Sequence, residues 1–252
     1  MLTNDGAQGS IRVSVCMATY NGAPFLREQI DSILTQLEPA DELIICDDTS
    51  DDGTWQIVSG WRDARVRVFR NPTRLGHVQN FVGAIGRARG RFVALSDQDD
   101  VWVKGRLQRM VEKLEELPPA SLVIGDFVEV DPVGVICETR LNQLELGDSA
   151  VNPYRQLARI FSGRVKYFGC AFVFERALLP HIIPMPRAIE AHDVWIAMKA
   201  CLHGRILHLR ENTLWHRVHG GNLTPKQRRA VWPIIKSRAI YGYYLVRDCL
   251  RA

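Results

Sequence analysis

The sequence predicts an α/β protein: a mostly parallel central sheet flanked by helices, followed by a smaller mixed region. Two observations predict it. Short apolar runs at residues 11–18, 42–46, 66–69 and 92–95 alternate with stretches whose apolar residues recur at helical spacing. That is the β-α-β-α-β-α-β order of a parallel sheet covered on both faces. Three of these runs then end abruptly in polar loops, at residues 19–22, 47–53 and 97–100. In open sheets of this kind ligands sit beyond the carboxyl ends of the strands.

Each element has its own signal. Residues 11–18 are almost continuously apolar, as expected of a strand buried on both faces. Pro24 opens a helix with Phe25, Leu26, Ile30, Ile33, Leu34 and Leu37 on one side. Residues 42–46 form the second strand, and the turn 47–53 leads to a helix around Trp55, Ile57, Val58 and Trp61. Residues 66–69 form the third strand, closed by Asn71 and Pro72. Residues 78–89 read as a helix with Phe81, Val82 and Ile85 inward, ended by Gly90. After the fourth strand, a helix with Leu107, Met110, Val111 and Leu114 inward runs to about residue 117, where Pro118 and Pro119 stop it. Short strands are expected at 122–124, 127–130, 135–137, 170–174 and 206–209, and a helix at 191–202. Residues 141–163 carry no clear pattern, and 213–224 read as a polar, histidine-rich loop.

The 252 residues are 46% hydrophobic and 24% charged, enough for a sizeable core in one large domain or two small ones. A net charge of +4, spread along the chain, does not describe a nucleic-acid binder, although it suits work beside an anionic membrane. Cysteines 16, 46, 137, 170, 201 and 250 show no C-x-x-C spacing and read as reduced thiols of a cytoplasmic protein. No run approaches the ~20 apolar residues of a membrane span. Residues 1–10 are expected to be a disordered tail, and residues 11–225 the folded domain. Residues 226–252 form a basic, amphipathic tail.

The stretch Ser96-Asp97-Gln98-Asp99-Asp100-Val101-Trp102 organises the rest. Three carboxylates within four residues at a strand end repel one another unless a cation neutralises them. Hard oxygen ligands on a short loop suit Mg²⁺ or Mn²⁺ and leave coordination positions for a phosphate.

Taken together the motifs resemble the family 2 inverting glycosyltransferases, which have the GT-A fold. The matching pieces are Val15 to Gly22 (V-C-M-A-T-Y-N-G), Ile45 to Thr54 (I-C-D-D-T-S-D-D-G-T) and Asn71 to Gly76 (N-P-T-R-L-G). The S-D-Q-D-D-x-W stretch follows, then His192-Asp193 and His219-Gly220-Gly221-Asn222, in the family's order. The S-D-Q-D-D-x-W form and the late H-G-G-N look most like the bacterial rhamnosyltransferase-type branch, which builds cell-surface polysaccharide. The resemblance implies a Rossmann-like sheet, a nucleotide-binding half at 11–100 and an acceptor-side half at 101–225.

It also implies roles. Ala18 lies at the nucleotide-binding strand end, and Tyr20 matches the position against the base. Asp48 matches the carboxylate that accepts from the pyrimidine N3–H, with Asp47 the weaker candidate. Asp97 and Asp99 match the metal motif; Asp99 is the preferred direct ligand of Mg²⁺ or Mn²⁺, and Asp97 reaches the sugar or ribose. His219 falls where relatives bring a late loop over the diphosphate, as metal ligand or phosphate contact. Arg74 is either structural or a phosphate contact, and Asp193 matches the catalytic base. Two departures stand out. Thr49 replaces a glycine common in the family's second loop, and Val103-Lys104 stands where many relatives have proline after the aromatic.

The expected reaction moves a sugar, L-rhamnose from dTDP-rhamnose, to a polysaccharide or lipid-linked hydroxyl. A UDP-hexose transferase and a non-catalytic nucleotide-sugar-binding module are the alternatives. Some residues have blander readings. Asp193 also fits a helix cap, Tyr20 a packed strand-end aromatic, and Asp51 and Asp52 solvated turn residues. Trp102 reads as core. His216 and His219 fit ordinary loop histidines, with no cysteine or carboxylate near them in sequence to make a zinc site. The tail is expected to dock on the inner face of an anionic membrane, to pack on the body, or to pair with a second copy.

Overall fold

The computed structural model describes residues 11–138, 152–165, 167–222 and 231–249. The expected tail 1–10 lies outside them. The first half follows the predicted alternation: β1 (Val13–Thr19), α1 (Leu26–Leu34), β2 (Glu42–Asp47), α2 (Thr54–Ser59), β3 (Val66–Arg70), α3 (His77–Ile85) and β4 (Phe92–Ser96). All seven residues of β1 and all six of β2 are buried. A strand apolar on both faces needs cover on both faces, which makes it central to the sheet.

The second half begins with β5 (Val101–Trp102), α4 (Arg106–Glu115), β6 (Leu122–Val130) and β7 (Ile136–Glu138). It continues through α5 (Pro153–Phe161), β8 (Phe172–Glu175), the short α6 (Leu179–Ile182), α7 (His192–His203), β9 (Ile206–Arg217) and α8 (Val231–Cys249). The described strands form one sheet in the order β3-β2-β1-β4-β8-β6-β9-β5, with β7 beside β6. Strands β1 to β4 are parallel, and β8 runs antiparallel to both β4 and β6. The chain leaves β1 towards β2 on one side and returns to β4 on the other. That reversal opens a crevice at the carboxyl ends of β1 and β4.

Three sequence expectations change. The runs at 122–124 and 127–130 are one strand, β6, whose register against β9 shifts at Gly125 and Asp126. Gly125 is required there, because a Cβ would lie 2.3 Å from Thr213 Cγ2. The strand expected to end at residue 209 continues to Arg217, so the first part of the predicted histidine-rich loop is sheet. Its polar residues mislead because β9 is read through its pairing with β6 and β5, not through a continuous apolar run. Part of the unassigned stretch forms α5, capped by Asn152, whose Oδ1 accepts from Tyr154 N at 2.9 Å, with Pro153 in the first turn.

Candidate active site

Three loop ends converge at the crevice, and their side chains are locked before any ligand arrives. After β1, Tyr20 N donates to Gln98 Oε1 (2.9 Å) and Gln98 Nε2 donates to Tyr20 O (3.0 Å). The glutamine between the two aspartates thus ties the β4 loop to the β1 loop. A Cβ at Gly22 would fall 2.2 Å from the Gln98 amide and displace it from this bridge.

After β2, Asp47 and Asp48 part company. Asp47 is fully buried: it accepts from Ser50 N (3.1 Å) and Ser50 Oγ (2.5 Å) and lies 3.3 Å from Arg70 Nε. It holds the turn and does not line the crevice. Asp48 does line it. Its Oδ1 accepts from Asn71 Nδ2 and Leu75 N, and its Oδ2 from Gly76 N, each at 2.8 Å. A carboxylate has about four acceptor positions, so Oδ2 keeps one for a ligand N–H. Thr49 sits at φ +62°, which explains the glycine common at this position. Asp52 is not merely solvated: it accepts from Ala23 N and from Thr54 N and Oγ1.

The N-P-T-R-L-G segment supplies the other wall. Asn71 Nδ2 also donates to Asn80 Oδ1, and Asn80 Nδ2 reaches Thr19 O and Cys46 O, bracing the ends of β1 and β2. The Arg74 guanidinium lies 4.0 Å from the centre of the Tyr20 ring, and both line the crevice, a cavity of about 230 Å³. Ala18, His77, Asp97, Asp99, His216 and Asn222 also line it. A shallower hollow of about 480 Å³ lies elsewhere, beside Arg89, Arg91 and Glu175. Its charges are mutually engaged, with Arg91 on Glu175 and Arg89 on Glu42, so the chemistry belongs to the smaller crevice.

At the end of β4, one oxygen each of Asp97, Asp99 and Asp100 come within 4.8 Å of one another. Burial raises the Asp97 carboxyl well above its ordinary range, and repulsion from Asp100 and Asp99 adds to it. Burial and Asp100 raise Asp99 likewise. Asp100 is fully buried, and its Oδ2 has no hydrogen-bond partner. An excess of buried negative charge with an orphaned oxygen fits a divalent cation, and all the donors are the hard oxygens that Mg²⁺ or Mn²⁺ prefers. His219 joins them: its Nε2 lies 2.8 Å from Asp99 Oδ2. Phe25 stacks on its ring at 4.8 Å, and Asn222 Oδ1 accepts from its backbone N–H.

Sequence reasoning missed Asp100 and His216 as partners. His216 Nδ1 lies 2.9 Å from Asp100 Oδ1, and Cys170 comes from a third segment to the same place. The expectation that His216 has no cysteine or carboxylate nearby fails in space, because 116 residues separate it from Asp100. Burial alone would depress His216; the carboxylates, Asp100 foremost, overcome this and push it up to about 9. Arg217 is the other residue missed. Its side chain donates to Asp99 O (3.0 Å) and pairs with Glu28 (2.7 Å), pinning the end of β9 to the carboxylate loop. Trp102 is core, as expected.

Asp193 is not among the residues that line the cavity. It occupies the first turn of α7, half-buried, with its Oδ1 accepting from Val194 N at 2.6 Å. Burial pushes its carboxyl up to about 6, and its charge is felt at Asp97. The preceding His192 stacks on Phe81 (4.3 Å) and meets His77 (5.1 Å), which lines the crevice. His192 is buried, and burial holds its imidazole neutral.

Comparison with known proteins places this geometry. The family profile described as Glycosyl transferase family 2 matches residues 14–182, ending before Asp193 and His219. Among curated proteins, the chain is 33% identical over 103 residues to the Escherichia coli UDP-Glc:alpha-D-GlcNAc-diphosphoundecaprenol beta-1,3-glucosyltransferase WfaP, covering 41% of each protein. It is 36% identical over 106 residues to the putative teichuronic acid biosynthesis glycosyltransferase TuaG of Bacillus subtilis, covering 41% of this chain and 42% of that one. These matches span about two fifths of the relatives' length. Among solved structures, S. aureus TarS 1-349 in complex with UDP-GlcNAc superposes with a TM-score of 0.67 at 21% identity, covering 92% of this chain and 66% of that one. The mannosyltransferase PcManGT from Pyrobaculum calidifontis, in complex with GDP-Man and Mn2+, gives a TM-score of 0.63 at 22% identity, covering 95% and 65%. These two likenesses establish the fold, which is the GT-A arrangement expected from the motifs. With its profile matched over more than half of its length, the chain belongs to glycosyl transferase family 2.

Proposed function

We propose that the protein is a metal-dependent inverting glycosyltransferase that moves a hexose from a pyrimidine nucleotide diphosphate sugar to a hydroxyl of a lipid-linked or polysaccharide acceptor. The observation that carries this reading is the convergence of Asp48, the Tyr20–Arg74 pair and the Asp97-Asp99-Asp100 cluster on one crevice. Asp48 has an acceptor position left for the base N3–H, and Tyr20 offers a ring face to the base. Arg74 offers positive charge to the diphosphate.

Asp99, with Asp97 and His219, would hold Mg²⁺ or Mn²⁺, which supplies positive charge to the departing diphosphate. The chain's own groups do the rest. Asp97 lies where it can accept from sugar or ribose hydroxyls. Asp193 takes the proton of the acceptor hydroxyl as it attacks the anomeric carbon on the face opposite the leaving group, which inverts the centre. A carboxyl raised to about 6 is still ionised at neutral pH, yet is a better base than an ordinary aspartate.

The rhamnosyltransferase-like motifs favour dTDP-L-rhamnose as donor. A second reading, UDP-glucose, is favoured by WfaP and by the E. coli WfgD, 32% identical over 102 residues, whose names specify that donor and a diphosphoundecaprenol acceptor. The N3–H edge is common to thymine and uracil, so Asp48 accepts both. A thermal-shift screen of dTDP-L-rhamnose, UDP-glucose and UDP-GlcNAc, each with and without Mn²⁺, tests the proposal. A true donor at 100 times its Kd stabilises by about 2.7 kcal/mol, and this shift should need the metal. No shift with any of the three, with or without Mn²⁺, would refute the donor assignment.

A further inference from the structure

Helix α8 has two opposite apolar faces, and only one of them is used. Ser237, Tyr241 and Leu245 are buried against the body, and Tyr241 Oη bonds to both the N–H and the carbonyl of Ala191, just before α7. Lys199 and Asp248 close the far end with an ion pair at 2.7 Å. The outer face carries Trp232, Ile235, Ala239, Tyr243 and Val246 at intervals of three, four, four and three residues. Trp232 is 74% exposed, Tyr243 63%, Val246 60% and Ile235 52%. At 1.5 Å per residue this stripe is about 21 Å long, and no described residue covers it.

The geometry points to this outer face of α8 as a surface that lies in the headgroup layer of an anionic lipid membrane. Its chemistry matches that occupant. Trp232 marks one end of the stripe and Tyr243 its second half, and amphipathic aromatic rings favour the membrane–water boundary. The described helix bears the cations Lys236, Arg238 and Arg247 against a single acid, Asp248, which pairs with Lys199 at 2.7 Å and with Arg247 at 3.5 Å. Lys236 is exposed beside Ile235. A second copy of the same helix would bring the same excess of cations to a shared interface, whereas anionic headgroups complement it. No described helix is long and apolar enough to cross a membrane, so the helix would lie in the surface rather than span it. The inference rests on the lipid-linked acceptor proposed above, and it places the buried face of α8, and with it Asp193, at a fixed distance from that surface.

Flotation of the full chain with phosphatidylcholine vesicles, with and without phosphatidylglycerol, tests it. The protein should float with the anionic vesicles, and the triple variant Trp232→Ser, Ile235→Ser, Tyr243→Ser should partition at least about tenfold less, as expected when most of the inserted apolar area is lost. Equal partitioning of the two proteins overturns the proposal. So does a native dimer that the triple variant dissociates, without vesicle binding, since a second copy would then be the occupant. Donor thermal shifts on the same two proteins without lipid serve as the control. If flotation fails and the donor shift holds, only the membrane surface falls. If the donor shift fails in both proteins and flotation holds, the glycosyltransferase reading falls instead.

Discussion

At the residue scale, the site is a set of carboxylates given different tasks by their neighbours. Asp47 spends its oxygens on Ser50 and Arg70, Asp48 on three N–H groups, and Asp99 on His219. Asp48→Asn leaves only one acceptor oxygen for three buried or half-buried donors. Each orphaned donor costs about 1–3 kcal/mol. We therefore expect a lower urea midpoint together with weaker donor binding; an unchanged midpoint would contradict the network. Asp99→Asn removes one charge from a repulsive cluster, so the fold should hold while the Mn²⁺ dependence of donor binding disappears. Calorimetric titration of donor with and without Mn²⁺ checks this, and equal metal dependence in the two proteins would remove Asp99 as ligand. Asp48 and Asp99 were singled out in the sequence through the family's motifs, on the loops that follow β2 and β4. The sequence ranked Asp47 below Asp48 but did not show the contacts that separate them, because these depend on Leu75 and Gly76 folding back over the turn.

At the element scale, α7 and α8 act as one unit. Tyr241 binds the backbone of Ala191 two residues before Asp193, and Trp195 Nε1 donates to Ile182 O. Tyr241→Phe should cost about 1 kcal/mol of stability, the usual net worth of such a bond. It should also lower kcat while leaving the donor KM unchanged, because the start of α7 would lose its brace and the donor crevice would not. A loss of stability with kcat unaltered would make Tyr241 a packing residue only. The strands β1, β2 and β4 were legible from their unbroken apolar runs. Strand β9 was legible only over 206–209, since Asn212, Thr213, His216 and Arg217 read as loop until β6 pairs with this stretch. The packed side of α8 was anticipated only as one of three alternatives. Its periodicity admits two apolar faces, and sequence alone does not say which one meets the body.

At the scale of the whole molecule, the account requires the two halves of the chain to meet across the crevice. The first half brings Tyr20, Asp48 and Arg74; the second brings His216 and Asn222 to the lining and His219 to Asp99. Motif order in the sequence suggested this meeting. The Asp100–His216 pair, the Arg217–Glu28 tie and the stacking of His192 on Phe81, which make it physical, could not be read because their members lie more than 100 residues apart. The proton-accepting role proposed for Asp193 carries a pH signature. With its carboxyl at about 6, kcat should fall about tenfold per unit as pH drops below that value, because only the ionised form accepts a proton.

The most direct test is the variant Asp193→Asn, measured for both turnover and donor affinity. Asparagine keeps the oxygen that accepts from Val194 N, and it caps a helix about as well as aspartate. The account predicts a stable protein with unchanged donor affinity and a kcat lower by about 10²–10⁴-fold, the usual contribution of a general base. Near-normal turnover in that variant would contradict it and leave Asp193 as a first-turn residue of α7 that only accepts from Val194 N.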